Sequence, residues 1–200
     1  MVYLIGAGGH AKVIIEILEK QGLYIGGLQD ANPAVKSLLG HDVHQVLPDF
    51  FDSNDDEVVI AIGNNTIRKK LTASFAHKFI SVIHPSANIS KRAIIGKGTV
   101  IMAGVTINTD AEIGKHVIIN SNASIDHECV LEDYVHVSLN AALGGNVRVG
   151  EGTHIGIGAC VVQGIKIGSW CTIGAGAVII NDVPDGATVV GNPGRVIESK

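Results

Sequence analysis

From Ile83 onward the chain repeats one hydrophobic pattern every six residues. Ile83, Ile89, Ile95 and Ile101 begin a series of seventeen aliphatic positions that reaches Ile179 without an insertion, passing through Leu131, Val137, Leu143, Val149 and Val161. Four residues after each comes a second series, from Ala87, Ala93, Thr99 and Val105 to Ala177 and Val183, which is almost entirely small. A fixed period of six predicts a parallel β-helix. In a strand, alternate side chains share a face, so the small residue and the next aliphatic point inward and the residue between them points out. The remaining residues turn a corner. Three hexads then make a triangular coil of about 18 residues, and residues 83–184 give about 5.7 coils, a prism of roughly 27 Å. Gly96, Gly114, Gly150, Gly156, Gly168 and Gly174 each follow an aliphatic, where a corner is expected to use their conformational freedom.

Before Ile83 the pattern is different. Val2 to Ile5 reads as a buried strand, residues 6–11 as a glycine turn, and Ala11 to Lys20 as a helix with Val13, Ile14, Ile17 and Leu18 on its apolar side. Strands are expected at 24–28 and 57–62, a helix at 66–77, and a fourth strand at 79–83 leading into the prism. The expected organisation is a small Rossmann-like parallel α/β domain over residues 1–82, followed by the β-helix and a C-terminal tail over 83–200.

Composition narrows the picture. The 200 residues contain 25 Gly but only 4% aromatics, and all four Phe precede residue 80, as a narrow prism with little room for rings requires. Mean hydropathy is +0.33, yet every apolar stretch stops well short of the roughly 18 residues of a membrane span. With no secretion-signal pattern at the start, a cytoplasmic location is expected. A net charge of −4 with scattered Lys and Arg offers no basic stripe for nucleic acid. Cys129 and Cys171 fall in the inward series, and their separation is not a whole number of coils. They therefore lie on different faces and are expected to be apolar fillers, not a disulfide.

Three clusters could carry chemistry. Gly6, Gly8 and Ala11 fit G-x-G-x-x-A between strand and helix, with Asp30 at the end of the second expected strand, which suits a phosphate at a helix N-terminus and a ribose on the carboxylate. The same residues also suit a tight turn with a solvated Asp. Half a doubly wound domain fits a mononucleotide or nucleotide-sugar better than NAD. Gly63-Asn64-Asn65 ends the third strand on the same sheet edge, where Asn65 could equally cap a helix. In the prism, Asp126-His127-Glu128 is the densest set of proton-handling groups, with His127 and Glu128 on a corner. His136 and His154 lie one coil apart and should stack on one outer face. No three imidazoles converge, so no metal is expected.

Gly-Ala-Gly-Gly-His at 6–10, Ala-Ile-Gly-Asn-Asn-x-Ile-Arg-Lys-Lys at 61–70, Ile-His-Pro-Ser-Ala at 83–87 and Asp-His-Glu-Cys at 126–129 together carry a resemblance over the whole chain. The sequence resembles the bacterial nucleotide-sugar acetyltransferases typified by PglD, with perosamine N-acetyltransferases such as PerB and NeuD-type sialic acid O-acetyltransferases as relatives, all within the hexapeptide-repeat acyltransferases. The resemblance implies a left-handed β-helix and a homotrimer with active sites between adjacent subunits. It implies transfer of acetyl from acetyl-CoA to the C4 amine of a UDP-linked 4-amino-4,6-dideoxy sugar, in the service of glycan biosynthesis. His127 matches the general base and Glu128 the residue that orients it. His136, Gly145, Ile157 and Ala175 match acetyl-CoA contacts, Asn120 an acceptor contact, and Gly8, Gly9, His10, Asp30 and Gly63 the nucleotide-sugar site. The family's Ser-Gly-His is Gly-Gly-His here and its paired Asp-Asp is Asp30-Ala31, which leaves UDP against GDP open. O-acetylation, or a nucleotide-binding scaffold without catalysis, are the alternatives.

Overall fold

A computed structural model describes residues 1–46, 56–74 and 78–199. The N-terminal unit is built from β1 (Val2–Ile5), α1 (Gly9–Lys20), β2 (Ile25–Gln29), β3 (Ser37–Leu38), β4 (His41–His44), β5 (Glu57–Ile60), α2 (Asn65–Ser74) and β6 (Lys78–Phe79). Its sheet runs β3-β4-β2-β1-β5-β6, parallel except for β3. Helix α1 buries Ala11, Ile14, Ile15, Ile17 and Leu18 against it. Val13 stays exposed and Ile15 takes the inward place expected of it. The β3–β4 hairpin was not expected; Leu39 and Gly40 turn it with φ of 48° and 83°. The end of α2 expected at residues 75–77 lies outside the described residues.

The strand expected at 79–83 is two strands. β6 closes the α/β sheet, whereas β7 (Val82–Ile83) is the first of seventeen two-residue strands, β7 to β23 (Val178–Ile179), that form the prism. Each pairs in parallel with the strand one coil on, as in Ile101↔Ile119, Ile119↔Val137 and Val137↔Ile155. The first face runs through β7, β10, β13, β16, β19 and β22; the second face through β8 to β23; the third through β9 to β21. The final hairpin, β24 (Ala187–Val190) and β25 (Arg195–Ser199), extends the first face.

Both hexad series meet in one continuous core that includes Ile107, Ala111, Ile125, Cys129, Leu131 and Cys171. The three cysteines are free. Thr99 and Thr153 are tolerated inside because each hydroxyl donates to a carbonyl of the next coil, Gly114 at 2.9 Å and Gly168 at 2.7 Å.

The corner glycines work differently from the expectation. Positive φ recurs every six residues from Gly98 to Gly176, three places after each aliphatic, at Gly, Asn, Asp and also His116, Glu128, Tyr134 and Trp170. The glycines directly after the aliphatics do not have it. They are there because successive coils touch: a Cβ on Gly96 would lie 2.5 Å from Gly114 backbone, and one on Gly156 2.5 Å from the Ile173 carbonyl. Close approach, not backbone conformation, selects glycine at that place.

Helix α2 docks the α/β unit onto the corner between the third and first faces. Its anchor is Arg68, which is 1% exposed. Nε donates to the His116 carbonyl at 2.7 Å, Nη1 to the Ile62 and Gly63 carbonyls at 3.2 Å, and Nη2 to Asn65 Oδ1 at 2.9 Å and the Tyr134 carbonyl at 2.7 Å. Every guanidinium donor is thereby engaged without a carboxylate. Burial lowers its pKa to about 10, which still leaves it charged at neutral pH. Beside it, the His116 ring stacks on Tyr134 and meets Phe79 edge-on. Among the described residues no helix is long and apolar enough to cross a membrane.

Candidate active site

The corner between the second and third faces presents Asp126, His127 and Glu128. Glu128 takes the positive φ of its hexad place, 58°, and its carboxylate meets its neighbour: His127 Nδ1 stands 3.0 Å from Glu128 Oε2. A carboxylate only accepts, so Nδ1 carries the hydrogen, and in the neutral imidazole Nε2 is the nitrogen with the lone pair. The backbone N–H of His127 donates to Asp126 Oδ1 at 2.8 Å, as does Asn108 Nδ2 one coil below. Those bonds, the Asn108 one first, hold the Asp126 carboxyl below the usual carboxylate range. One coil above, Gly145 lets the imidazole in: a Cβ there would fall 2.6 Å from Nε2. The ring is half-exposed, beside a depression of about 460 Å³ lined by Asp126, Gly144, Gly145, Asn146, Gln163 and Gly164. Among the described residues nothing accepts the Gly145 N–H.

A second cleft, of about 600 Å³, opens at the domain join between Gly63–Thr66 and the first face, where His136, His154, Trp170 and Thr172 line it. His136 Nδ1 faces the Gly63 carbonyl at 3.3 Å, and its Nε2 faces Asn120 Nδ2 at 3.4 Å. The carbonyl fixes the proton on Nδ1. Burial first, then His154, Arg68 and His10, push the His136 pKa down to about 3. The His154 ring stacks 4.9 Å away and its Nε2 meets Ser138 Oγ at 2.8 Å. His10, lowered to about 4 by burial and Arg68, has a buried Nε2 with no partner among the described residues. Such an orphan invites a ligand.

Comparison with known proteins now decides the family. Residues 1–75 match the PglD N-terminal domain. The acetyltransferase domain of PglB from Neisseria gonorrhoeae superposes with a TM-score of 0.92 at 40% identity, covering 98% of each chain. A histidine-to-asparagine mutant of perosamine N-acetyltransferase from Caulobacter crescentus, in complex with CoA and GDP-perosamine, gives 0.92 at 37%, covering 98% of this chain and 96% of that one. The chain belongs to the nucleotide-sugar N-acetyltransferase family of PglB and PerB. A UDP-N-acetylbacillosamine N-acetyltransferase from Bacillus subtilis is 40% identical over 118 residues, 51% of each chain. The match thus spans about half the length of that curated relative.

Within this acetyltransferase family member, the expected site residues fall into three groups. Gly8, Gly9, His10, Asp30 and Gly63 sit at the carboxyl ends of β1, β2 and β5, with His136 and Asn120 on the first face beside Gly63. Asp30 has structural work there, because Oδ2 accepts the Ala7 N–H at 2.8 Å and Oδ1 the Asn32 N–H at 2.9 Å. No Cβ contact within 4 Å would meet a side chain at Gly8, Gly9 or Gly63, so ligand can approach that backbone. His127, Glu128 and Gly145 form the second group, on another corner. Ile157 and Ala175 form the third, one coil apart on the corner between the first and second faces. A single chain does not bring the three together.

Two residues carry roles that sequence reasoning missed. Asn64, not Asn65, caps α2, accepting the Ile67 N–H at 3.0 Å, which frees Asn65 to reach the Gly152 carbonyl at 2.9 Å. Arg68 lies inside the motif at 61–70, yet no sequence signal marks it as the domain anchor. Among the described residues no group of three His, Cys, Asp or Glu side chains could hold a metal ion.

Proposed function

We propose that the chain transfers acetyl from acetyl-CoA to the C4 amine of a nucleotide-linked 4-amino-4,6-dideoxy sugar, UDP in preference to GDP, with His127 as general base. The observation that carries this is the His127–Glu128 pair at 3.0 Å, which occupies Nδ1 and leaves Nε2 toward the depression beside Gly145. His127 Nε2 takes a proton from the substrate ammonium, and Glu128 steadies the imidazolium. The freed amine attacks the thioester carbonyl, and the Gly145 N–H meets the oxyanion. Collapse of the adduct breaks the carbon–sulfur bond. One proton returns through His127 to the departing thiolate and the second leaves to solvent, so the products are the amide and CoA thiol.

The nucleotide-sugar occupies the glycine turn, His10, Asp30 and Gly63, with Asn120 near the acceptor; acetyl-CoA lies along His136, Gly145, Ile157 and Ala175. Because these groups face different sides of one prism, the working site needs a neighbouring copy. A homotrimer with active sites between subunits supplies it, acting in the cytoplasm on glycan precursors. Support comes from the relatives: the PglB domain was seen with acetyl coenzyme A, and PerB with CoA and GDP-perosamine.

The test is CoA thiol release with acetyl-CoA and a panel of UDP and GDP 4-amino sugars. His127→Ala should lose roughly 10²- to 10⁴-fold in kcat/KM with the oligomer intact. Near-normal turnover removes His127 from the mechanism, and no release with any amine or alcohol favours a scaffold.

A further inference from the structure

The two oxygens of Asp126 are used unequally. Oδ1 accepts both the His127 N–H and Asn108 Nδ2, each at 2.8 Å. Oδ2 accepts no hydrogen bond from the described residues, and it stands 4.0 Å from His127 Nε2, the nitrogen that must receive the substrate proton. Holding the corner needs only Oδ1, which an asparagine amide would supply equally well. The negative charge and the second oxygen are thereby left facing His127 Nε2 and whatever group binds beside it.

We infer that Asp126 selects an amine over an alcohol as acceptor, its Oδ2 pairing with the substrate ammonium while His127 Nε2 takes one of the ammonium protons. The inference rests on the acetyl-transfer reading above and names its specificity residue. Donor counting gives the reason. An ammonium has three N–H bonds and can donate to Nε2 and Oδ2 together. An alcohol has one O–H; once that is given to Nε2, its lone pairs face a carboxylate. The two hydrogen bonds on Oδ1 further favour the ionised form of the side chain, and a charge-assisted bond is stronger than a neutral one. Glu128 cannot play this part, because its Oε2 is committed to the opposite ring nitrogen.

The experiment compares wild type and Asp126→Asn by calorimetric binding and steady-state kinetics. The ligands are a UDP 4-amino-4,6-dideoxy sugar and its 4-hydroxy counterpart. Asparagine keeps Oδ1 and hence the corner, so Tm should not move. Kd and KM for the amine should rise roughly tenfold or more, with affinity for the hydroxy sugar within about twofold. A second readout needs no variant: wild-type amine affinity should weaken as pH rises past the ammonium pKa, roughly 8, and hydroxy-sugar affinity should not. Equal weakening of both ligands would assign Asp126 a structural role and overturn the inference, as would unchanged amine affinity in the variant or a level wild-type pH profile. Wild type that transfers acetyl to no amine refutes the parent reading as well; intact transfer with an unaltered amine preference in Asp126→Asn refutes this one alone.

Discussion

His127 and Gly145 are packed so closely that a methyl group on Gly145 would fall 2.5 Å from the imidazole Cε1. Gly145 has no positive φ to demand glycine; the requirement comes from the ring beside it. Gly145→Ala should therefore push His127 off its position without unfolding the prism, because the displaced group is a half-exposed side chain. A loss of about 10²-fold in kcat/KM with Tm unchanged is expected, the scale on which catalytic groups respond to an ångström of misplacement. Normal kinetics in this variant would show that the contact has no catalytic weight.

Arg68 joins two units that share no covalent tie beyond the chain. Arg68→Ala removes its five donors and leaves the buried carbonyl of His116 and the partly buried carbonyls of Ile62, Gly63 and Tyr134 without them. Destabilisation of about 3 kcal/mol or more is expected, read as an earlier unfolding transition of the α/β unit and faster amide exchange in α2, with the prism transition retained. Arg68→Lys should rescue little, since an ammonium has three donors and no fork. Exchange in α2 equal to wild type would contradict the anchoring role.

Acid should loosen the domain join. His10 and His136 are held neutral, at about 4 and about 3, first by burial, whereas an unfolded chain protonates them near 6.5. Between those values the unfolded state binds more protons. Stability is thus fully present above about pH 6.5 and falls below it, by up to ~1.4 kcal/mol per pH unit for each histidine. Scanning calorimetry from pH 8 to 4.5 should show a level Tm and then a decline, shallower in His136→Gln. A decline of the same slope in that variant would mean that His136 is not among the groups responsible.

The two kinds of corner glycine should respond oppositely. A Cβ on Gly114 would lie 2.7 Å from Asp133 and Glu132 backbone, which cannot swing away. Gly114→Ala should cost about 1–3 kcal/mol. Gly176 has φ +66° and nothing within 4 Å of a Cβ, in a row where Asn122, Asn140 and Asn146 hold the same conformation. Gly176→Asn should cost under about 1 kcal/mol. Chemical denaturation of both variants measures the contrast, and equal effects would refute it.

The prism was legible because its constraints are local and periodic. A side chain six residues on meets the same wall, so Ile83 to Ile179 could be read without knowing any contact. The Asp126-His127-Glu128 cluster was legible for a related reason, since adjacent residues on a corner stay together whatever the rest of the fold does, whereas the pairing of Glu128 with His127 came from the resemblance to known acetyltransferases. What stayed hidden depended on distant backbone. Arg68 finds carbonyls 48 and 66 residues away, and carbonyls leave no trace in residue identity. The β3–β4 hairpin escaped because Leu39 sits at φ 48°, where turn preferences favour Asn or Gly. The corner glycines were located correctly but misjudged, because composition marks glycine without saying whether its missing side chain or its free backbone is needed. The spread of the site over three sides of the prism came from counting which strand belongs to which face.

The strict coil-by-coil register also makes the protein a ruler with discrete marks. Helix α2 grips three successive coils, through His116, Tyr134 and Gly152, and His127 projects at a height between the first two. One complete coil added inside that span would leave every inward position filled and every strand paired, yet it would carry part of the grip out of reach of α2 by a step of roughly 4.8 Å. The docked helix therefore fixes how many coils separate the nucleotide end of the site from the base, and the prism can be lengthened in whole steps only outside the coils that α2 holds.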